Sequence, residues 1–225
     1  MREFDALSEY PQPTTPRRVG SELRTIQSRI VASYRGKEFY DGNRNNGYGG
    51  LHYDGRWKSI AKSMAETYNL TEKSKILQIG CDKGFLLHDF KEMLPNIHVC
   101  GLEVSEYAIE QSMPSIRSMI RSVPRFTTLP FEEKTFDFVL AIGAVYCLTL
   151  GDAISLLREI TRVSRGNSFV TLASYETEED FWLFRDWTVL GATLLKGDEW
   201  REVLRHVSYK GDYKLTSANT LNLIR

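Results

Sequence analysis

Three absences narrow the classes of protein to which this sequence can belong. The sequence has no basic excess, because 29 Lys and Arg residues balance 29 Asp and Glu residues. Nucleic-acid binders and polybasic membrane proteins usually carry such an excess, so neither class is favoured. The sequence also lacks an apolar run of the roughly 18 residues that a membrane-spanning helix requires. We therefore expect no membrane insertion and no nucleic-acid partner.

Cysteine is also scarce. The three cysteines, Cys81, Cys100 and Cys147, are far apart and form none of the paired short spacings of zinc sites and redox motifs. We therefore predict reduced thiols, no metal site and a cytoplasmic protein. Residues 1–20 are polar, contain three prolines and lack the apolar core of a signal peptide, which predicts a flexible N-terminal tail.

The remaining composition is typical of one globular domain with an appendage. The 225 residues are 42% apolar and 26% charged, and a chain of this length buries enough surface to fold without a metal or disulfide. We divide it into the tail over 1–20, an N-terminal helix with a Gly- and Tyr-rich lid over 21–57, and a main domain over 58–225. The helix is predicted from apolar residues at helical spacing: Leu23, Ile26, Ile30 and Tyr34.

The main domain alternates strands with helices. Apolar runs predict strands at Lys75–Ile79, Ile97–Glu103, Phe136–Ile142 and Ser168–Ala173, and amphipathic segments between them predict helices. This order is typical of an α/β fold with a mostly parallel sheet and helices on both faces. Ligands of such sheets bind beyond the carboxyl ends of the strands, where the strand order reverses.

A glycine-rich turn, GCDKG over residues 80–84, follows the first of these strands and leads into a helix. The dinucleotide fingerprint G-x-G-x-x-G requires glycine where Asp82 stands. A carboxylate there suits a ligand with a cationic part, such as the amino group of a methionine moiety. Glu103 follows Gly84 by 19 positions (103 − 84), close to the spacing at which an acid meets ribose hydroxyls. A structural turn and a solvated strand-end carboxylate remain alternatives.

Three segments, ILQIGCDKG, GLEVSEYAIE and LPFEEKTFDFVLAIGAVYCL, resemble in this order the motifs of class I S-adenosylmethionine-dependent methyltransferases. The resemblance covers residues 57–225 and implies an enzyme with a Rossmann-like, mostly parallel seven-stranded sheet and S-adenosyl-L-methionine as cofactor. Asp82 would then face the methionine amino group. The resemblance further implies that Gly80, Cys81 and Gly84 lie at the methionine part, Glu103 at the ribose, Val104 at the adenine, and Gly143 and Ala144 at the reacting methyl group.

The sequence departs from this family's pattern at three places. Gln78 stands where the family usually has an acid, and Asp82 replaces the central glycine. The acid that usually contacts the adenine amino group is missing, and Arg125 or Phe126 stands near its place. These departures bear on cofactor affinity and on the adenine contacts more than on the fold.

A narrower resemblance lies in two further segments, FYDGNRNNGYGGLHYDGRW and TLLKGDEWREVLRHVSYKGDY. They are similar to a subset of small bacterial methyltransferases of surface-polysaccharide and sugar modification. That resemblance implies O-methylation of a sugar hydroxyl, or of a small phosphorylated or phosphoramidate-like group attached to a sugar, in polysaccharide biosynthesis.

The lid and the loop after the strand at 136–142 supply the other candidate site residues. We expect the lid to fold over the cofactor. Aromatic and basic residues interleave over 34–58, a pattern that is also compatible with single-stranded nucleic-acid binding or with an ordinary surface loop. The candidates are His52 and Tyr146 as catalytic residues, Arg56 against the cofactor's carboxylate, and Tyr40, Tyr48 and Tyr53 as contacts to a saccharide or other small acceptor.

Two other functions are compatible with the sequence. Gln78 and Asp82 also fit a methyltransferase-like fold that serves as a non-catalytic binding subunit. A nicotinamide-dependent oxidoreductase is a third option, which the absence of glycine at positions 82 and 85 disfavours. The sequence does not indicate an oligomeric state.

Overall fold

The computed structural model describes the whole chain, residues 1–225, with a parallel β-sheet between layers of helices. The strands are β1 (Arg2–Glu3), β2 (Arg17–Arg18), β3 (Lys75–Ile79), β4 (His98–Glu103), β5 (Ile120–Ser122), β6 (Phe136–Ala141), β7 (Ser164–Ala173), β8 (Asp212–Thr216) and β9 (Leu223–Ile224). The helices are α1 (Ile26–Ser33), α2 (Lys37–Tyr40), α3 (Lys58–Thr67), α4 (Phe85–Met93), α5 (Glu106–Glu110), α6 (Leu150–Val163), α7 (Glu178–Trp187) and α8 (Gly197–His206).

Seven strands form one sheet in the order β1-β8-β7-β6-β3-β4-β5, and every neighbouring pair is parallel. The predicted α/β fold is therefore confirmed. The strand order reverses between β3 and β6, because the chain runs outward from β3 to β5 and then returns to the other side of β3. The loops after β3 and β6 meet at this point, which is where ligands bind in open α/β sheets.

The core lies on both faces of the sheet, because successive side chains of a strand point to opposite faces. Leu77 and Val139 face the cluster that includes α6 and α8, whereas Ile76 and Phe138 face the cluster that includes α3 and α4. The central strands β3 and β6 are thus buried on both sides, which explains their continuous apolar sequences. No helix combines the length and the apolarity needed to span a bilayer.

The first 20 residues differ from the flexible tail that the sequence predicts. β1 pairs with β8 at the edge of the sheet, and the Arg2 guanidinium donates to the Asp212 carboxylate at 2.7 Å. Ala6 and Leu7 are buried in the core, and β2 pairs with β9. The edge of β8 presents unpaired N–H and C=O groups to which an extended chain can add, so nonlocal contacts hold this segment.

Helix α1 presents its apolar stripe to solvent rather than to the core. Ile26 and Tyr34 are 73% and 78% exposed, whereas Ala32 is fully buried. The inner face is held by Arg29, whose guanidinium donates to two backbone carbonyls at the end of α7, each at 2.7 Å. Helical spacing therefore predicts the helix but not its buried face.

Candidate active site

A cavity opens at the carboxyl ends of β3 and β6, where the strand order reverses. Eighteen residues line it, ten of them hydrophobic, and a few polar and charged side chains lie among them, as is typical of small-molecule sites. Its walls come from the turn after β3, the loop after β6, the N-terminal segment over 24–48 and the segment over 187–190. Part of the lid segment defined from the sequence thus forms one side of the cavity.

Left-handed backbone shapes the turn after β3. Gly80, Asp82 and Gly84 have φ angles of +67°, +50° and +74°. At Gly84 a Cβ atom would lie 2.3 Å from Cδ1 of Ile116, so glycine is required for the helix to start this close to its neighbour. The turn places Gly80 and Asp82 in the cavity wall and Gly84 at the start of α4.

Asp82 carries the only carboxylate that lines the cavity. Its Oδ1 accepts a hydrogen bond from the hydroxyl of Tyr40 at 3.0 Å, and its Oδ2 accepts one from the hydroxyl of Tyr48 at 2.9 Å. Burial raises the pKa of Asp82, and the two tyrosine hydroxyls act in the opposite direction. The residue that stands in place of a glycine therefore holds two tyrosines of the lid.

Glu103 ends β4 beside this turn and is fully buried. Its Oε1 accepts from the backbone N–H groups of Val104 and Ser105 at 2.8 and 2.9 Å, and its Oε2 accepts from the N–H of Asp82 at 2.9 Å. Burial, and next the nearby Asp82 carboxylate, raise the pKa of Glu103 to about 6. Because no part of the side chain is exposed, a ribose hydroxyl can reach this carboxylate only after covering residues move.

A buried ion pair ties the lid to the same turn. Lys83 Nζ lies 2.8 and 2.7 Å from the two carboxylate oxygens of Asp41 and donates to the carbonyl of Leu51 at 2.9 Å. The hydroxyl of Tyr107 donates to Asp41 at 2.7 Å. The side chains of Lys83 and Asp41 are only 6% and 17% exposed. The position of the lid is thus coupled to the position of the glycine-rich turn.

Three arginines line the cavity, and none of Arg24, Arg35 and Arg44 forms an ion pair. Arg24 donates to the carbonyl of Trp187 and to those of Arg44 and Gly47, the last two at 3.2 and 3.3 Å. Arg44 donates to two carbonyls of its own turn at 2.9 and 2.8 Å. Burial, and next the neighbouring cation of Arg44, lower the pKa of Arg24 to about 10. The cavity is therefore electropositive on its lid side.

Arg35 lies on the same wall with a backbone φ of +47°. Non-glycine residues are strained in this region, and such strain is concentrated at functional sites. Its carbonyl accepts from the hydroxyl of Ser105 at 2.6 Å, which fixes the backbone. Burial raises the pKa values of Asp82, Glu103 and Cys147, and the Arg35 charge partly offsets this effect on all three. Arg35 is thus a cation of the cavity wall that acts on both carboxylates, and Lys83 adds to its effect on Asp82.

Tyr146 lies on the loop after β6, with Gly143 and Ala144 in the same cavity wall. Its hydroxyl would lie 3.8 Å from a Cβ atom at Gly143. Burial, and next the neighbouring Cys147 and Asp82, raise the pKa of Tyr146. The hydroxyl therefore stays protonated near neutral pH, so it can orient an acceptor but is a poor general base.

Eight of the predicted site residues do not line the cavity, and three of these, His52, Tyr53 and Arg56, belong to the lid. The extended chain over 51–54 alternates between half-buried and exposed positions, and this alternation leaves His52 exposed. Arg56 pairs with Asp54 rather than with a cavity group, and the Tyr53 hydroxyl donates to a carboxylate on α4. The structure thus differs from the predictions of His52 as catalytic residue, Arg56 as carboxylate partner and Tyr53 as acceptor contact.

The other predicted residues divide between the cavity wall and its support. Tyr48 lines the cavity, whereas Tyr40 is fully buried behind the wall and contacts Asp82. Cys81 differs from its prediction, because its Sγ packs into the core, where it would lie 2.6 Å from a Cβ atom at Gly101. Val104 packs against the core beside the turn.

Sequence reasoning missed the wall formed by 187–190 and the contribution of Arg24. The segment follows α7, whose start is typical of a helix N-terminus, because the Thr177 side chain accepts from the N–H of Asp180 and acidic residues fill the first turn. The indole N–H of Trp187 is buried without a hydrogen-bond partner. The capping pattern at the start of α7 could be recognised in the sequence, but the approach of its C-terminal end to the cavity depends on long-range packing.

Comparisons with known proteins indicate a methyltransferase, in agreement with the resemblance of the three sequence motifs. Residues 76–167 match the family model described as a methyltransferase domain. The YcgJ protein from Bacillus subtilis has 18% identity and a TM-score of 0.54, over 65% of this chain and 66% of its own. The [4+2]-cyclase SpnF has 18% identity and a TM-score of 0.55, over 88% of this chain and 74% of its own. No curated protein matches this chain.

Residues 76–167 thus form a methyltransferase domain, so the chain is a methyltransferase with S-adenosylmethionine as its cofactor. The similarity to YcgJ, at 18% identity, shows the fold alone. The match does not support the nicotinamide-dependent alternative. The site fits the cofactor's methionine part, because Gly80 and Gly143 leave the cavity wall free of side chains and Asp82 offers a carboxylate to an ammonium group. Glu103 is fully buried and does not line the cavity, so its contact with the ribose stays a prediction.

Proposed function

We propose that this enzyme O-methylates a sugar or a small sugar-linked acceptor, which binds in the cavity between the lid and the loop after β6. The observation that carries the proposal is the Tyr146 hydroxyl, which has no partner within the protein and lies beside Gly143. Phe39 and Tyr48 add aromatic surface to the same cavity. Aromatic faces with a few polar groups suit the apolar face and the hydroxyls of a sugar ring.

The biosynthetic setting that we propose is that of bacterial surface polysaccharides. Support for it comes from the resemblance of the segments over 39–57 and 193–213 to small methyltransferases of that kind. We also propose that residues 21–57 act as a lid on a catalytic domain over 58–225, in keeping with the contacts between Asp41 and Lys83.

The protein's part in the reaction is alignment. When bound, S-adenosylmethionine supplies the methyl group, whose bond to sulfur breaks with its electron pair staying on sulfur. Asp82 holds the ammonium group of the methionine part, Arg35 holds its carboxylate, and Tyr146 orients the acceptor hydroxyl. Holding two reactants in line supplies on the order of 7–11 kcal/mol of the barrier reduction. The proton of the acceptor hydroxyl is released to solvent through the open mouth of the cavity.

The test is a transfer assay with S-adenosylmethionine and a panel of neutral sugars, sugar phosphates and nucleoside-diphosphate sugars, read by the mass and position of the methyl group. We expect methylation of an oxygen, with a lower kcat in Tyr146→Phe. Transfer to nitrogen alone, or no transfer to any sugar by a protein that binds the demethylated cofactor, would overturn the proposal. Calorimetry with the demethylated cofactor shows that the protein in the assay is competent to bind.

A further inference from the structure

The cavity holds more positive charge than its own residues balance. Arg24, Arg35 and Arg44 line it, and Asp82 is its only carboxylate. The hydrogen-bond partners of Arg24 and Arg44 are backbone carbonyls, one of which, that of Trp187, lies at the end of α7. A helix C-terminus carries roughly half a negative charge, so it offsets only part of one arginine. The cavity wall therefore has an excess of more than one positive charge.

The cofactor does not remove this excess. Its carboxylate, ammonium and sulfonium groups together carry one positive charge. If Arg35 pairs with the carboxylate and Asp82 with the ammonium, Arg24, Arg44 and the sulfonium remain unbalanced. Like charges in a partly buried site repel each other. The lowered pKa of Arg24 reflects burial first and then repulsion from Arg44. An anionic group on the acceptor would balance this charge.

We infer that the acceptor carries a phosphoryl or diphosphoryl group, which binds against Arg24 and Arg44 at the lid side of the cavity. The inference rests on the proposed function, because it assigns the substrate class of the same site. A guanidinium has five N–H donors, and the carbonyl contacts of each arginine leave some of these donors free. Trp187 also lines the cavity, and its buried indole N–H is a donor without a hydrogen-bond partner.

A phosphate fits these donors better than a carboxylate does. It brings up to two negative charges to a wall with an excess of more than one, and its oxygens accept from several donors at once. The donors come from Arg24 before α1, Arg44 in the lid and Trp187 at the end of α7. A bound phosphate would therefore also fasten the lid against α7.

The test is calorimetry in the presence of the demethylated cofactor, with methyl glucoside, glucose 1-phosphate and a nucleoside-diphosphate glucose as probes. We expect either phosphorylated probe to bind at least about tenfold more tightly than the neutral sugar. Arg24→Gln and Arg44→Gln should weaken that binding by about tenfold or more, whereas Arg44→Lys, which keeps the charge, should retain most of it. Arg158→Gln is the control: it removes an exposed arginine of α6 and should change the affinity for the phosphorylated probes less than about twofold.

Equal binding of neutral and phosphorylated sugars would overturn the inference. So would unchanged phosphate binding in both glutamine variants, or an equal loss of affinity for the demethylated cofactor, which would assign Arg24 and Arg44 to the cofactor instead. The two glucose probes distinguish a sugar phosphate from a nucleotide sugar. If the phosphorylated probes bind as expected but no oxygen is methylated, the proposed function fails while the anion site stands.

Discussion

Removing the lysine of the Lys83–Asp41 pair tests whether the turn holds the lid. In Lys83→Met the aliphatic stem is replaced at similar volume, but Asp41 loses the Nζ group 2.8 and 2.7 Å from its oxygens. The Leu51 carbonyl loses its donor as well. Removing one partner of a buried ion pair typically costs about 3–5 kcal/mol. Asp41 keeps the hydrogen bond from the Tyr107 hydroxyl and remains 17% exposed. We therefore expect the free energy of unfolding to fall by the low end of this range, about 3 kcal/mol.

The assay is urea unfolding at fixed pH, combined with hydrogen exchange over residues 38–51. The single variant should lower the free energy of unfolding and speed exchange in the lid, while exchange in β3 and β6 changes only with global stability. Lys83→Met with Asp41→Asn should recover part of the loss, since the uncompensated carboxylate is gone. Arg205→Met, which breaks an exposed pair with Glu202, is the control and should cost less than about 1 kcal/mol. A loss as small as that control in Lys83→Met would refute a lid held by this pair.

Three further predictions concern the turn and the cavity. Affinity for the demethylated cofactor should fall as pH falls through about 6, because Glu103 is then protonated, and Glu103→Gln should flatten this profile. The raised pKa of Glu103 also stabilises the folded state. This stabilisation is fully present below about pH 4.5 and is lost as pH rises through about 6. Gly84→Ala should lower the free energy of unfolding in urea by about 2–4 kcal/mol, because the φ of Gly84 is +74° and a Cβ atom there would lie 2.3 Å from Ile116. Gly151→Ala is the control: it lies in α6 with open space around it, so the change should be neutral or stabilising by up to about 1 kcal/mol. Tyr146→Phe should lower kcat on the order of tenfold with unchanged cofactor affinity, and His52→Ala should leave kcat unchanged; the reverse pattern would restore His52 to the site.

The central sheet was predictable from the sequence because its determinants are local. β3 matches its predicted bounds, Lys75–Ile79, since an apolar run followed by glycine leaves few alternatives to a buried strand and a turn. β6 ends at Ala141, one residue before the predicted end. By contrast, β1 consists of two charged residues, Arg2 and Glu3, and forms only because the edge of β8 is open beside them. No local pattern contains that information.

The candidate site was predictable only where it follows the strand ends. Gly80, Asp82, Gly143 and Ala144 come directly after β3 and β6, so the sheet itself carries them to the cavity. The lid residues depend on which way an irregular segment turns. His52 is exposed because it occupies the outer of two alternating positions. Arg24 reaches the cavity through long-range hydrogen bonds from the segment before α1, which no local pattern indicates.

The departures from the family's glycine pattern and the presence of the lid have one physical explanation. Asp82 binds the hydroxyls of Tyr40 and Tyr48, and Lys83 beside it binds Asp41, so consecutive residues of the turn hold the two ends of the lid segment over 40–48. A glycine at position 82 would remove the first of these contacts. The ammonium group that we assign to Asp82 competes with the same two hydroxyls for its oxygens. If it displaces them, the Lys83–Asp41 pair still keeps the segment attached to the turn.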